Sequence, residues 1–260
     1  MKRRTGWLVA IGAVALLVFV AATLPAGVLA SPLRKAGLEA RGFGGSVWSG
    51  RATGLALRGT FLGDASWTLA PAKLLRGRAA GRFQLVRPGG GVEADYEVTL
   101  TGQHILLTGA RFALPIELLN TLPLGLPSGW RGQATGDFTE ARLDRGGPAV
   151  LRGSLDLDGL VSPPPRNAPL GSFHVVFPHP APQASLSVPD DPANVTAQVV
   201  DKEGPYAVEA QFTLSPSRAF ALEGALAPRA EVPEAMQQSL ELLGPADAAG
   251  RRQFSIGGSL

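Results

Sequence analysis

Two kinds of residue in this 260-residue chain have types and spacing that could support chemistry. They are the three histidines, His104, His174 and His179, and two pairs of aspartates, Asp156 with Asp158 and Asp190 with Asp191. His174 and His179 are five residues apart across a proline, but no carboxylate or third ligand stands near them in the sequence, as a metal site would require. Asp156 and Asp158 alternate along one segment and would point the same way on a strand, like the paired carboxylates of an acid–base catalyst. The same alternation is typical of the solvated face of an amphipathic strand, which is the interpretation that we favour.

Other catalytic signatures are missing from the sequence. It contains neither Gly-x-Ser-x-Gly nor a glycine-rich phosphate loop followed by a lysine and a helix. The absence of cysteine excludes disulfides, thiolate metal ligands and a cysteine nucleophile. His104 lies in an alternating segment, where a position on the face or rim of a sheet is expected. We therefore predict a protein that is not an enzyme and holds no metal or cofactor. A hydrolase built on His104, His174, Asp156 and Asp158 is the distant alternative.

Three tryptophans stand beside glycines in segments that resemble one another. Trp48 and Trp130 each begin the frame Trp-x-Gly-x-Ala-Thr-Gly, and Trp67 follows a Leu-Gly-Asp segment with a weaker echo at residues 170–174. Large aromatic side chains beside glycines usually fill a core where a sheet bends, whereas an exposed strip for a partner or for lipid is the alternative. The candidate structural or contact residues are Trp48, Gly50, Trp67, Trp130 and Gly132.

An uncharged apolar run over residues 7–30 predicts where these elements are placed. At a rise of about 1.5 Å per residue, such a run can cross a hydrocarbon core of about 30 Å. Lys2, Arg3 and Arg4 precede it, and positive charge before a first span is retained in the cytoplasm. We predict a cytoplasmic tip (1–6), a single-pass membrane anchor (7–30) and an exported C-terminal domain. A cleaved signal peptide, with Val28-Leu29-Ala30 before the cleavage site, is the alternative.

The overall charge argues against nucleic acid as a partner. The net charge of +3 equals the three basic residues of the N-terminal tip, so the remainder of the chain is balanced. The apolar fraction of 45% is sufficient for a folded core.

Glycine and proline punctuate short alternating segments throughout the exported part. The 33 glycines and 22 prolines are spread along the chain, which is typical of an all-β protein. After a juxtamembrane linker (31–43), alternation predicts a β-rich domain over residues 44–260. Residues 78–86 and 92–100 predict a hairpin turned at residues 87–91. Helical spacing predicts short helices over residues 112–122 and 231–243.

The repeated tryptophan frames indicate an internal duplication, with units 44–122 and 130–260. The predicted fold is mainly β. One N-terminal transmembrane helix precedes a curved antiparallel sheet or open half-barrel with one or two short helices. A duplication would divide this sheet into two similar halves.

Several motifs along the chain resemble one known family, general secretion pathway protein N, the type II secretion system protein N family. The basic tip and single anchor belong to this resemblance. The further matching segments are residues 45–52 (GSVWSGRA), 63–71 (GDASWTLAP), 74–77 (LLRG), 122–126 (LPLGL), 132–136 (GQATG), 169–171 (PLG), 242–251 (LLGPADAAGR) and 258–260 (GSL).

The resemblance implies a non-enzymatic accessory component of the type II, or general, protein secretion system. Such a protein sits in the inner membrane with its C-terminal domain in the periplasm, where it contacts the inner-membrane assembly platform, the outer-membrane secretin, or both. It also favours the uncleaved anchor, and it supplies no catalytic residue. Binding would use strand addition at a sheet edge, for which residues 219–225 are a candidate, or a groove on the sheet. Lipid handling by an apolar β-groove is the alternative from another functional class.

Overall fold

The computed structural model describes residues 19–20, 22–121, 129–144, 147–177, 194–217, 219–229 and 245–259. A 3₁₀ helix (Ala26–Leu29) and helix α1 (Ala30–Lys35) precede the sheet, helix α2 (Pro71–Leu74) lies between two strands, and a second 3₁₀ helix covers Ile116–Thr121. The strands are β1 (Leu38–Glu39), β2 (Gly42–Gly45), β3 (Ser49–Leu57), β4 (Thr60–Leu69), β5 (Arg78–Arg87), β6 (Gly90–Thr99), β7 (His104–Pro115), β8 (Arg131–Asp144), β9 (Gly147–Val161), β10 (Pro169–Phe177), β11 (Val195–Glu203), β12 (Tyr206–Leu214), β13 (Ala219–Pro228) and β14 (Arg252–Ser259).

All fourteen strands of the described residues form one antiparallel sheet. From β3 to β14 the strand order in space is the order in the chain, while β1 and β2 both pair with β3. The predicted mainly β, open antiparallel sheet with few helices is therefore confirmed. The predicted hairpin of residues 78–86 and 92–100 is present as β5 and β6, in continuous register from Arg78 opposite Thr99 to Arg87 opposite Gly90.

The turns between these strands follow from residue types that accept the required backbone angles. Arg58 and Gly59 join β3 to β4, and both have positive φ (48° and 85°), which matches the right-handed twist of a hairpin. Pro88 and Gly89 join β5 to β6, with Gly89 at φ 80°. Proline fixes φ at the first turn position and glycine accepts positive φ at the second. Consecutive turns of this kind produce a meander.

One region differs from the helix predicted by sequence over residues 112–122. Residues 112–115 belong to β7, which pairs with β8 from His104 to Pro115, and only a 3₁₀ helix follows. The spacing of Leu114, Leu118 and Leu119 fits a helix, but pairing along β8 makes residues 112–115 a strand. The helix predicted over residues 231–243 lies outside the described residues.

The repeated frames occupy strands that run in opposite directions. Trp48 precedes β3 and Trp130 precedes β8, and five steps along an antiparallel sheet reverse the direction of the strand. The weaker echo places Trp67 in β4 and His174 in β10, six steps apart, where the direction is the same. The two echoes thus have different strand offsets, and a duplication with one fixed offset does not account for both.

The cores lie on one face of the sheet, which we call the apolar face. Because directly opposite residues of paired strands point to the same side, Ala52, Ala65, Leu85, Ala94 and Phe138 share this face. Two clusters of buried side chains form on it, one around Ala52, Leu55, Ala65 and Leu85, the other around Ala94, Ala110 and Phe138. The opposite side, which we call the charged face, carries Arg82, Asp95, Arg111, Asp137 and their neighbours.

Candidate interaction surfaces of the sheet

Many large side chains on the apolar face are only partly buried. Among the described residues no large side chain is fully buried, and the buried set is mostly alanine. The aromatic and aliphatic side chains packed beside them, such as Phe83, Leu107, Phe112, Leu155 and Phe177, remain half-buried. The described part of the domain is thus a single sheet whose apolar face keeps contact with solvent, and this makes the face a candidate binding surface.

Aromatic rings line this face over the middle strands. The ring of Phe138 stacks on Phe112, with centroids 6.1 Å apart, and packs at a tilt on Phe177 at 5.5 Å. Phe212 and Phe220 stack at 6.4 Å further along the sheet. Rings at such separations attract one another beyond the area that they bury. The aromatic row extends the apolar face beyond the two buried clusters.

Trp67 and Gly50 form one packing unit. They are directly opposite on β4 and β3, and a Cβ atom on Gly50 would lie 2.5 Å from the Trp67 ring and 2.6 Å from the Ser46 carbonyl oxygen. The Trp67 indole Nε1–H donates to the Val47 carbonyl oxygen at 2.9 Å. Trp67 packs against the cluster around Ala52. Because the indole ring lies directly over residue 50, only glycine leaves enough room there.

The other candidate residues lie at strand ends. Trp48 is half-buried, and its carbonyl oxygen accepts from the Leu69 N–H at 2.7 Å. Trp130 is half-buried beside β8. Gly132 has φ 142° at an irregularity in the pairing of β8 with β9, where a Cβ would lie 2.9 Å from the Asp158 carbonyl oxygen. A role of these residues in partner contact remains a prediction.

The charged face carries ion pairs between directly opposite residues of neighbouring strands. Arg82 pairs with Asp95 at 2.8 Å, Arg111 with Asp137 at 3.2 Å, and Glu140 with Arg152 at 3.0 Å. Because each pair is also a register pair, these contacts favour the observed register over a slipped one.

Two of the three histidines join this face through carboxylates. His104 Nδ1 lies 2.6 Å from Asp144, and His174 Nδ1 lies 2.9 Å from Asp156. The Lys202 ammonium donates to Asp156 at 3.1 Å and to Asp158 at 3.2 Å. The expected common direction of Asp156 and Asp158 is thus present. Sequence analysis did not pair His174 with Asp156, because the two residues are 18 positions apart and are brought together only by the register of β10 with β9.

These contacts shift the acidity of the carboxyl groups. The hydrogen bond with His174, followed by that with Lys202, lowers the pKa of Asp156 below its ordinary value. The hydrogen bond with His104 likewise lowers the pKa of Asp144. Asp156 and Asp158 raise the pKa of Lys202. All three shifts favour the charged forms, so at neutral pH the carboxylates act as hydrogen-bond acceptors and ion-pair partners. Within the described residues, no three acidic or histidine side chains are grouped so that they could hold a metal ion. His179 lies outside those residues.

The edge of the sheet differs from the expected one. Residues 219–225 belong to β13, which pairs with β12 on one side and β14 on the other, so the prediction of an edge strand there is wrong. Among the described residues, β14 pairs only with β13, and its Ile256 side chain is 55% exposed. The sequence near residue 252 carried no signal that distinguishes an edge strand from an interior one.

Comparison with known proteins relates this arrangement to one family. A model of the family "Type II secretion system (T2SS), protein N" matches residues 36–255, from the end of α1 into β14. The chain belongs to this family. The type II secretion system protein N of Vibrio cholerae serotype O1 (strain ATCC 39315 / El Tor Inaba N16961) is 27% identical over 273 residues, with both chains covered completely. No solved structure matches the chain.

As a member of the type II secretion system protein N family, the chain is assigned to protein transport as an accessory component of that system. Other components of the secretion system are therefore its expected partners. In the part of the chain that the structure describes, no helix has the length and apolar character needed to span a membrane. Most of the predicted anchor, residues 7–18 and 21, lies outside that part.

Proposed function

We propose that this member of the family is a non-catalytic binding component, anchored in the inner membrane by the apolar run that begins at residue 7, with its sheet in the periplasm. We place the end of the membrane span before Leu24, within the predicted anchor 7–30, because Leu24 and Pro25 pair with Val47 and Ser46 of the domain. The uncharged run and the three preceding basic residues support this orientation. Its partners are the inner-membrane platform proteins, the secretin, or both.

One observation carries the proposal: a single sheet with a half-exposed apolar face ends in a strand that is paired on one side. An edge strand offers backbone N–H and C=O groups to an incoming strand, and the adjoining apolar face receives the incoming side chains. Within the described residues, β14 meets both conditions, because its outer edge is unpaired there and Phe254 and Ile256 lie on the apolar face. We therefore place the protein contact at β14 and the face beside it.

In-cell photo-cross-linking of the full-length protein tests this placement. A photoreactive residue at Ile256 should capture a platform protein or the secretin, identified by mass spectrometry. The matched control is Val200, which is 40% exposed on the charged face, and it should capture neither. Capture at Val200 alone, or at neither position in cells that secrete normally, would contradict the placement.

Absence of catalysis is tested on the two histidine–aspartate pairs. A variant with His104→Gln, Asp144→Asn, His174→Gln, Asp156→Asn and Asp158→Asn removes both pairs and the neighbouring carboxylate of Asp158. Secretion should persist at the level expected from the amount of folded protein. Loss of secretion with normal protein levels would favour the hydrolase alternative.

Lipid handling is the second candidate, and the half-exposed aromatic and aliphatic row of the apolar face favours it. Phospholipid or lipopolysaccharide should then co-purify in detergent-free extracts. Val199 and Val200 are adjacent on β11 and point to opposite faces, which provides a matched pair. Val199→Glu should reduce the bound lipid, whereas Val200→Glu should not. Equal lipid in both variants, or none in the unaltered protein, would exclude this function.

A further inference from the structure

Two exposed leucines occupy neighbouring turns at one rim of the sheet. Leu75 follows helix α2 in the β4–β5 connection and is 91% exposed, and Leu100 lies in the β6–β7 turn and is 62% exposed. The Leu100 N–H donates to the Gly77 carbonyl oxygen at 2.9 Å, so the two turns are in contact. The other exposed large apolar residues of the described sheet lie within strands. These two leucines thus form a small apolar tip that contributes nothing to the core.

The chain enters the domain at this same rim. Pro25 bridges to Ser46, and the Leu24 carbonyl oxygen accepts from the Val47 N–H at 2.9 Å, in the connection between β2 and β3. In an antiparallel meander, the β2–β3, β4–β5 and β6–β7 connections all lie at one rim, which we call the entry rim. The contact between Trp48 and Leu69 joins the first of these connections to the second.

The distance between the entry point and the leucines is short. Leu100 is separated from the β2–β3 connection by about four strand spacings of ~4.8 Å, or about 20 Å. A domain whose chain leaves a bilayer beside Val47 therefore holds the leucine tip within reach of the same bilayer surface.

Positive charge surrounds the leucine tip. Lys73, Arg76 and Arg78 flank Leu75, while Glu97 accepts from Lys73 at 2.5 Å and from Arg78 at 2.6 Å. Three cations and one carboxylate leave a local excess of positive charge. Apolar side chains flanked by lysine and arginine are the composition that binds the interface of a membrane with anionic headgroups.

We propose that the entry rim docks on the membrane surface, with Leu75 and Leu100 inserted between anionic phospholipid headgroups and Arg76 paired with phosphate. This docking rests on the proposed inner-membrane anchoring. It fixes the orientation of the sheet, since the opposite rim, with its β3–β4 and β5–β6 turns, then faces away from the membrane.

The test uses the absence of cysteine in the chain, which allows single labelling sites. Full-length protein with Leu75→Cys or Leu100→Cys carries an environment-sensitive fluorophore and is reconstituted into vesicles of phosphatidylethanolamine and phosphatidylglycerol with spin-labelled lipid. Val86→Cys is the matched control, because this valine is 58% exposed next to the turn at the opposite rim. Because interfacial segments insert ~5–10 Å below the headgroups, quenching should be at least about twofold stronger at positions 75 and 100 than at 86.

Replacing phosphatidylglycerol by phosphatidylcholine, or Arg76 by Glu, should reduce the difference, since both remove the charge attraction. Equal quenching at all three positions in protein that floats with the vesicles would overturn the docking and leave the anchor intact. Protein that does not float with vesicles would overturn the anchoring and the docking together. Labels that are unquenched in vesicles but shielded in native membranes would assign the leucine tip to a protein partner and overturn the lipid occupant.

Discussion

The two faces of the described sheet differ in the contacts that stabilise them. On the apolar face, alanines are nearly inaccessible while Phe112, Phe177 and similar side chains stay half-exposed, so the large residues shield the small ones and the backbone. On the charged face, cross-strand ion pairs keep their charges in water and act on register. Stability should therefore depend mainly on a few apolar contacts, whereas each ion pair should contribute little free energy.

Truncating the centre of the aromatic row should have the largest effect. Phe138 is 9% exposed and contacts both Phe112 and Phe177, so Phe138→Ala should lower the free energy of unfolding by about 3–5 kcal/mol. Urea unfolding of the full-length protein in detergent measures it. Val176→Ala on the charged face is the control and should change stability by no more than about 0.5 kcal/mol. Equal losses would remove the distinction between the faces.

A methyl group added under Trp67 should have the next largest effect. Gly50→Ala places a Cβ within 2.6 Å of both the indole and the Ser46 carbonyl oxygen, which should cost about 1–3 kcal/mol. Gly27→Ala is the matched control, because a Cβ there meets nothing within 4 Å. A tolerated Gly50→Ala would show that Trp67 is free to move off β3.

Arg87 is a cation on the apolar face whose buried nitrogen atoms include two without a partner among the described residues. The side chain of Arg87 points to the same face as that of Leu85, two residues earlier on β5. Its Nε and Nη1 atoms are buried without a hydrogen-bond partner in the described part of the chain. An unsatisfied buried donor costs about 1–3 kcal/mol, so Arg87→Met should raise the unfolding midpoint. Arg82→Met, which removes the ion pair with Asp95, should not raise it. A destabilised Arg87→Met would mean that this guanidinium has a partner in the working protein.

Removing charge from the histidine–aspartate pairs should have the smallest effect. Asp144 and Asp156 have folded-state pKa values below their ordinary ones, so their contribution is complete above the unfolded-state value of about 3.9 and is lost as the pH falls through the lowered value. Asp144→Asn with Asp156→Asn should cost under about 1 kcal/mol each at pH 7. Unfolding midpoints measured from pH 7 to pH 3 should then fall less steeply than in the unaltered protein. An unchanged acid slope would contradict the assignment.

Sequence alone predicted the parts of the fold that depend on neighbouring residues. Alternation and turn residues such as Pro88 and Gly89 predicted the hairpin and the antiparallel meander. Sequence alone did not predict features that depend on residues distant in the chain. These are the extension of β7 to Pro115, the interior position of β13, and the pairing of His174 with Asp156. Each is decided by register or strand order, which no local pattern encodes.

The strand order of the described sheet has a consequence for how the protein is made. From β3 onward, each strand finds one partner in the strand synthesised just before it, so most contacts join segments close in the chain. Such local contacts have a low loop-closure cost and favour fast folding. If the strands emerge from a membrane in chain order, each can therefore pair as it arrives, and the growing edge of the sheet stays unpaired until the next strand is added.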